Sequence, residues 1–528
     1  MIQINLQNEL KKNNLHNALK KNNLHNALKK NNLQYGYIYN KNILPKFLNS
    51  ISLPKYIPTN DNPYAIKNRV IFNRECITVD PENCTDADDG FSIYLDNKKL
   101  YLAIHIADPT HYIKPDSELF KHIINNVATT YPSLNQPVHL MPHTIVNASS
   151  LNTSNSLGEY KNAISLITEI DTNTYLPIDS TSILFTKVLV KPKNSFSYEK
   201  ASEYLLGHSK YNFDISEVIN SETETATRDI NSNYLHIFNI SLNIANALKN
   251  ARHASDTNLN QKSDIIYKNG VATFYNAPEY VKNMKSIIEE FAIFANSSVG
   301  TYLSNNIDKT MGIFRTCVSN KNMTSIEDKE LSPSNQKNIN RPYALYTQTG
   351  DSHSLINASR YTHFTSPIRR CSDCICHYLV KHIYFKLNDI EYAVDKPFDN
   401  IKLNEIITHI DHISKLNKEL QTYDNTYRTI QAISNLIITH GIVTIQFKFT
   451  GFTRSNATFY IKNVNNFNIS IPYCVLIKDN QSRVYNYFNK YSDKIMTFKI
   501  TRVSMYKYYT TTFPEFNAFI NNIANRNV

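Results

Sequence analysis

The chain has 528 residues, room for roughly two to four domains, with 56 Lys and Arg against 45 Asp and Glu and a formal net charge of +11. A basic balance suits a polyanionic partner, because each neutralised phosphate releases counterions, and it equally suits drift toward lysine in an Asn-, Ile-, Lys- and Tyr-rich sequence that looks AT-rich in its coding. Seven cysteines in so long a chain form no disulfide framework, no apolar run approaches the roughly 18 residues of a membrane span, and MIQINLQNELKKNN has no secretory core, so the expectation is a soluble cytoplasmic protein, with a viral or organellar origin compatible with the bias.

In chain order, residues 10–33 repeat LKKNNLHNA twice and then LKKNNL. Leucines spaced alternately five and four walk around a helix without forming a stripe, so residues 1–35 are read as a low-complexity tail rather than an RNA-contacting arm. Residues 36–70 read as a Pro- and Asn-rich lead-in. FSIYL and LYLAIHIA, split by Asp96-Asn97-Lys98-Lys99, predict a β-hairpin. Met284, Ile287, Ile288, Phe291, Phe294 and Ala295 recur at helical spacing within 281–305. At TSPIRR, Ser366 suits an N-cap and Pro367 the first helical position, with Ile368, Cys371, Ile375, Leu379 and Ile383 as the core face. Residues 402–437 read as helical. VTIQFKF, ATFYIKNV, ISIPYCVLI and MTFKITRV then predict short strands of a small barrel, an OB-fold suited to single-stranded RNA.

Two motifs carry chemistry. VDPENCTDADDGFSIY places Asp80, Asp86, Asp88 and Asp89 inside ten residues. Clustered carboxylates repel unless neutralised, and hard oxygen donors at this density suit Mg²⁺ or Mn²⁺. A solvated acidic loop fits poorly between the apolar segments CITV and FSIYL. An EF-hand fails, because Gly90 comes one residue early and the twelfth loop position is Asn97. YTHFTSPIRR sets Arg369 and Arg370 at an expected helix start, where backbone N–H groups and the helix dipole also favour a phosphate; ordinary surface arginines are the plainer alternative. Together the motifs describe metal-assisted phosphodiester hydrolysis with an arginine stabilising the phosphoryl charge. Cys371, Cys374, Cys376 and His377 lack a second ligand pair at zinc spacing and are read as core groups.

With these residues in view, the sequence resembles the ribonuclease II (RNB) family, whose aspartate run D-x5-D-x-D-D is reproduced by Asp80, Asp86, Asp88 and Asp89. HIADPTHYI supplies Asp108, TTYPSLNQPVHLMP supplies Tyr131, FSYEKASEYL supplies Tyr198, MKSIIEEFAIFAN supplies Glu289 and Glu290, IFRT supplies Arg315, and SRYTHFTSPIRRCSDCICH matches the family's HFTSPIRRY-x-D block. The resemblance covers roughly 70–390 well and the C-terminal part more weakly. It implies an α/β (α+β) RNB catalytic domain with an interior metal site, over 71–400, a helical connection at 401–438 and an all-β OB-fold RNA-binding domain at 439–520. It also implies a processive 3′-to-5′ exoribonuclease that converts single-stranded RNA to nucleoside 5′-monophosphates, working as a monomer off the membrane; a catalytically silent RNA-binding relative is the alternative. By analogy, Asp88 and Arg369 are catalytic. Asp80, Asp86, Asp88 and Asp89 hold Mg²⁺, or Mn²⁺. Tyr131, Tyr198, Asp108, Glu289, Glu290, Arg315 and Arg370 contact RNA, with Tyr131 stacking on a base. The chain departs from the family in four places. One or both of the cold-shock-type barrels expected before the catalytic domain read as missing or degenerate, Cys371 stands for a tyrosine, Gln421 for a glutamate, and ARHASDTNLNQKSD does not yield the family's second stacking aromatic.

Overall fold

The computed structural model describes residues 62–131, 137–178, 181–206, 233–252, 263–268, 271–317, 344–388, 390, 396–453, 456–477, 481–489, 495–505 and 511–525. The repeat, most of the lead-in and residues 253–262 lie outside the described residues.

The first strands are β1 (Val70–Phe72), β2 (Thr78–Asp80), β3 (Asp89–Asp96), β4 (Lys99–Ala107), β5 (Glu159–Ile170), β6 (Ser182–Val190) and β7 (Ser195–Ser197). Five of them form a sheet in the order β1-β6-β5-β4-β3, with β1 parallel to β6 and the other pairs antiparallel. The predicted hairpin is β3–β4. Asn97 and Lys98 take φ of 49° and 65°, the left-handed pair that matches a two-residue turn to strand twist. Side chains alternate across the sheet, so Phe91, Ile104, Leu166 and Ile183 share one face through their register. On the other face Ser92, His105, Ser165 and Thr186 form a buried hydrogen-bonded row at 3.0, 2.7 and 2.6 Å. Burial without a carboxylate partner pushes His105 down to about 3, so it stays neutral in this row.

The helices that follow are α1 (Glu118–Asn126), α2 (His143–Ser149), α3 (Tyr198–Glu203), α4 (Tyr234–Ala251), α5 (Glu279–Asn306), α6 (Cys371–Leu387) and α7 (Asn400–His440). The apolar sheet face is covered by α4, α5 and α6. Phe91 meets Phe238 and Phe291 edge-on at 6.2 and 5.3 Å, and Phe185 meets Tyr384 at 4.8 Å. Short pairs β8 (Asp264–Lys268) with β9 (Val271–Tyr275), and β10 (Phe314–Thr316) with β11 (Leu345–Thr347), lie outside this sheet.

One expected element starts late. Ser366 does not cap the helix: residues 366–370 form a turn, Arg370 is extended at φ −136° and pairs with Ala128, and α6 begins at Cys371. The physical reason is competition for donors. The Ile368 N–H, which a continuing helix would leave to a cap, is taken by Asp88 instead. Ile368, Cys371, Ile375, Leu379 and Ile383 are all buried, as the spacing predicts. The thiols sit in this core, with Cys374 donating to Pro367 O at 3.0 Å and Cys376 accepting from Thr362.

The helix α7 joins two cores. Leu403, Ile406, Ile407, Ile410 and Ile413 complete the first, while Ile430 and Ile433 belong to the second. That second core is built on β12 (Val443–Thr453), β13 (Asn456–Val464), β14 (Phe467–Leu476) and β15 (Met496–Ile500), a sheet of order β14-β13-β12-β15, with a further pair β16 (Ser504–Met505) and β17 (Thr511–Thr512). An all-β unit was the expectation, yet two helices pack here, α8 (Gln481–Asn489) and α9 (Pro514–Asn525). Phe516, Ile520 and Ala524 recur every four residues, a helical stripe, and Phe516 stacks on Phe447 of β12 at 3.8 Å. Among the described residues no helix is long and apolar enough to cross a membrane.

Candidate active site

The aspartate run lies between β2 and β3, where two local devices place it. β2 pairs in parallel with β7, setting Asp80 opposite Ser197. Ser197 caps α3 through the Lys200 N–H, so Tyr198 at the helix start stands near the acids. Its hydroxyl is pushed above its ordinary value by burial and by the Asp89 and Asp80 charges. On the other side Ala87 is clamped, its N–H donating to Ser150 Oγ at 3.0 Å and its carbonyl accepting from Leu151 at 2.9 Å. The Asp88 carbonyl accepts from Ala107 at 2.8 Å and so leads into the sheet. Gly90 follows where a side chain has no room: a Cβ would lie 2.8 Å from Cys76 Sγ and 3.0 Å from the Ile77 carbonyl.

The distant arginine turn closes on this run. Asp88 Oδ1 accepts from the Ile368 N–H at 2.7 Å and Oδ2 from Arg369 Nε at 2.9 Å. Arg369 Nη2 also donates to Ser366 Oγ at 2.8 Å, and its carbonyl accepts from Thr129 at 2.9 Å. Its side chain remains 43% exposed while Asp88 is buried. Asp86 is held differently: Tyr131 Oη donates to Oδ2 at 2.7 Å, Cys84 Sγ to Oδ1 at 3.6 Å, and His139 Nδ1 lies 3.7 Å from Oδ2. The Tyr131 ring is half exposed, so its hydroxyl is anchored and its face is open.

Burial opposes ionisation of Asp88, Asp80 and Asp89. Asp88 is pushed up to about 8 by desolvation, resisted by the Arg369 charge. Asp80 rises to about 7 through burial and the neighbouring Asp89 charge, and Asp89 rises to about 6 through burial, resisted by Arg369 and Arg370. Buried and half-buried carboxylates that repel one another are a donor set that a hard divalent cation neutralises, so the residues fit such an ion. Among the described residues no three His, Cys, Asp or Glu side chains are drawn together closely enough to hold one as they stand. Asp88, expected among the ligands, has both oxygens engaged by the 366–370 turn.

The structure thus gathers Asp80, Asp86, Asp88, Asp89, Arg369, Tyr131 and Tyr198. Arg370 lies beside them but donates to Asp373 Oδ1 at 2.9 Å. Three residues expected to contact RNA are engaged elsewhere. Asp108 is fully buried, bonded to Arg69, to Lys381 at 2.9 Å and to Thr110 at 2.6 Å. Glu290 is paired with Arg252 at 2.6 and 2.8 Å. Arg315 reaches Asp411 at 3.4 Å and stacks over Tyr346. Glu289 and Gln421 are exposed on α5 and α7. Cys84, His139 and Asp373 were not singled out from the sequence. Cys84 stands inside the aspartate run and Asp373 three residues beyond Arg370, so position offered a signal for both, whereas the reach of His139 to Asp86 has none.

A family model for the RNB domain matches residues 69–386. The DIS3-like exonuclease 2 of Schizosaccharomyces pombe is 27% identical over 374 residues, covering 62% of this chain but only 38% of that protein. Mycoplasma genitalium RNase R in complex with ribose methylated single-stranded RNA aligns at TM-score 0.57 and 18% identity, over 84% of this chain and 68% of the other. Yeast Ssd1, a pseudonuclease, aligns at 0.55 and 16%, over 80% and 52%. The matched domain takes in every aspartate of the run and the whole arginine turn, well over half of the chain, and this protein belongs to the RNB-domain family.

Proposed function

We propose that the chain is a processive, metal-dependent 3′-to-5′ exoribonuclease that hydrolyses single-stranded RNA to nucleoside 5′-monophosphates. The observation that carries this reading is the closure of Arg369 and the Ile368 N–H onto Asp88, which unites the two chemistry-bearing motifs across 281 positions of sequence. Exoribonuclease relatives and an RNA-bound structural neighbour support RNA as the substrate class.

Asp80, Asp86 and Asp89 would hold Mg²⁺, or Mn²⁺, which when bound supplies an activated water and stabilises the departing 3′-oxygen. The chain's own groups do the rest. Asp88 fixes Arg369 from behind, and the exposed edge of the guanidinium is left to meet the phosphoryl oxygens as charge builds there. Tyr131, with its hydroxyl on Asp86, offers its open ring to the base next to the cut. Residues 71–400 act as the catalytic domain, 401–438 as the connection and 439–520 as an OB-type RNA-binding unit; the protein works as a monomer.

A 5′-labelled single-stranded RNA incubated with the protein and Mg²⁺ tests this. Disappearance of full-length RNA into a short limit product with release of mononucleotides, abolished by EDTA, is the expected result. Binding of intact RNA without turnover would instead make the chain a silent relative.

A further inference from the structure

Behind the arginine turn runs a buried chain of polar groups that the proposed reaction does not use. Asp373, in the first turn of α6, is fully buried and so out of reach of a substrate. Its Oδ1 accepts from the Ser366 N–H at 2.8 Å and from Arg370 Nη2 at 2.9 Å, and its Oδ2 accepts from Ser372 Oγ at 2.9 Å. Ser366 in turn holds Arg369 through its hydroxyl. On the far side, Ser372 Oγ lies 3.0 Å from Tyr346 Oη, which is also 2.5 Å from His363 Nδ1. Tyr346 is itself fixed from three directions. It pairs with Arg315 across β10–β11, carries the Arg315 guanidinium 4.5 Å over its ring, and donates its N–H to Asp411 of α7 at 3.0 Å. A carboxylate that is buried and bonded to three donors has one orientation, and the donors it holds inherit it.

We propose that Asp373 and Tyr346 are positioning residues for the arginine pair. Asp373 ties the 366–370 turn at Ser366 and Arg370, and Tyr346 ties Asp373 through Ser372, so that Arg369 meets Asp88 with its guanidinium already fixed. This rests on the reading of Arg369 as the phosphate-facing group. Its consequence is that the orientation of Arg369 depends on side chains that touch neither RNA nor the acids.

The test uses the full chain with Asp373→Asn and, because that variant can fail to fold, Tyr346→Phe, which removes a single hydroxyl. Hydrogen exchange of peptides spanning 364–370 is expected to quicken in both, with α6 beyond its first turn unchanged. In turnover of single-stranded RNA with Mg²⁺, kcat falls about 10- to 100-fold while KM moves by less than about threefold, the signature of a misplaced group rather than lost binding. In an Arg369→Ala background the same substitutions cost no more than about a further twofold, because the group they position is gone. Unchanged exchange over 364–370, or the same fold-loss with and without Arg369, overturns the proposal and leaves Asp373 as a fold-stabilising residue. If the unaltered chain does not hydrolyse RNA, the exonuclease reading fails, and the exchange measurement still decides whether the two residues fix the turn.

Discussion

Asp88 shows how much one side chain can decide. Its two oxygens take a backbone and a guanidinium donor from a segment 280 and 281 positions away, inside a region that burial makes hostile to its charge. Asp88→Asn keeps the size but turns an acceptor into an amide that sets N–H against the Arg369 N–H. We expect kcat on single-stranded RNA to fall by about 10²-fold or more, with RNA affinity in EDTA within about threefold of the unaltered chain. A variant that turns over at the original rate would remove Asp88 from the site. Tyr131 makes a second prediction. Tyr131→Ala deletes the exposed ring, so the final oligonucleotide should lengthen, whereas Tyr131→Phe loses only the hydroxyl bond to Asp86, keeps the ring and should leave its length alone; gel analysis of limit products with both variants checks this.

At the scale of elements, what could be read from the sequence was what local periodicity dictates. The β3–β4 hairpin, α5, α7 and the apolar face of α6 follow from alternation or helical spacing. The start of α6 was not legible, because Asp88 from another part of the chain takes the Ile368 N–H before a cap can form. The destination of Asp108 was equally hidden. It lies at the end of β4, and only the packed fold reveals Arg69 and Lys381 facing it. These form a buried ionic cluster: burial would raise the Asp108 value, but Lys381 and Arg69 hold it well below the ordinary range. Burial pushes Lys381 down to about 8, so it remains charged at neutral pH. Lys381→Met leaves that carboxylate facing an apolar chain and should cost about 3–5 kcal/mol in urea unfolding. Since Asp108 has a lower value folded than unfolded, its contribution is intact above about pH 4 and is lost as pH falls through the folded value. Acid unfolding curves should therefore converge for the two proteins at low pH; equal stability at pH 7 would contradict the assignment.

For the whole molecule, the sheet with its covering helices serves to bring the β2–β3 link, the α3 start and the 366–370 turn to one place. The second core, reached along α7, brings a separate sheet and two helices that the strand pattern alone did not predict. Asp88, buried, and Asp80 and Asp89, half-buried, pushed up to about 8, 7 and 6 in one site, are tolerable for a working protein if a cation completes them. The most direct measurement is a crystal grown with Mn²⁺ and scanned at the manganese absorption edge. An anomalous peak among Asp80, Asp86 and Asp89, lost in Asp80→Asn, is the expected result. A crystal that binds Mn²⁺ elsewhere, or none at millimolar concentration while the four acids stay as they are, would contradict the claim that these carboxylates form a metal-dependent hydrolytic centre.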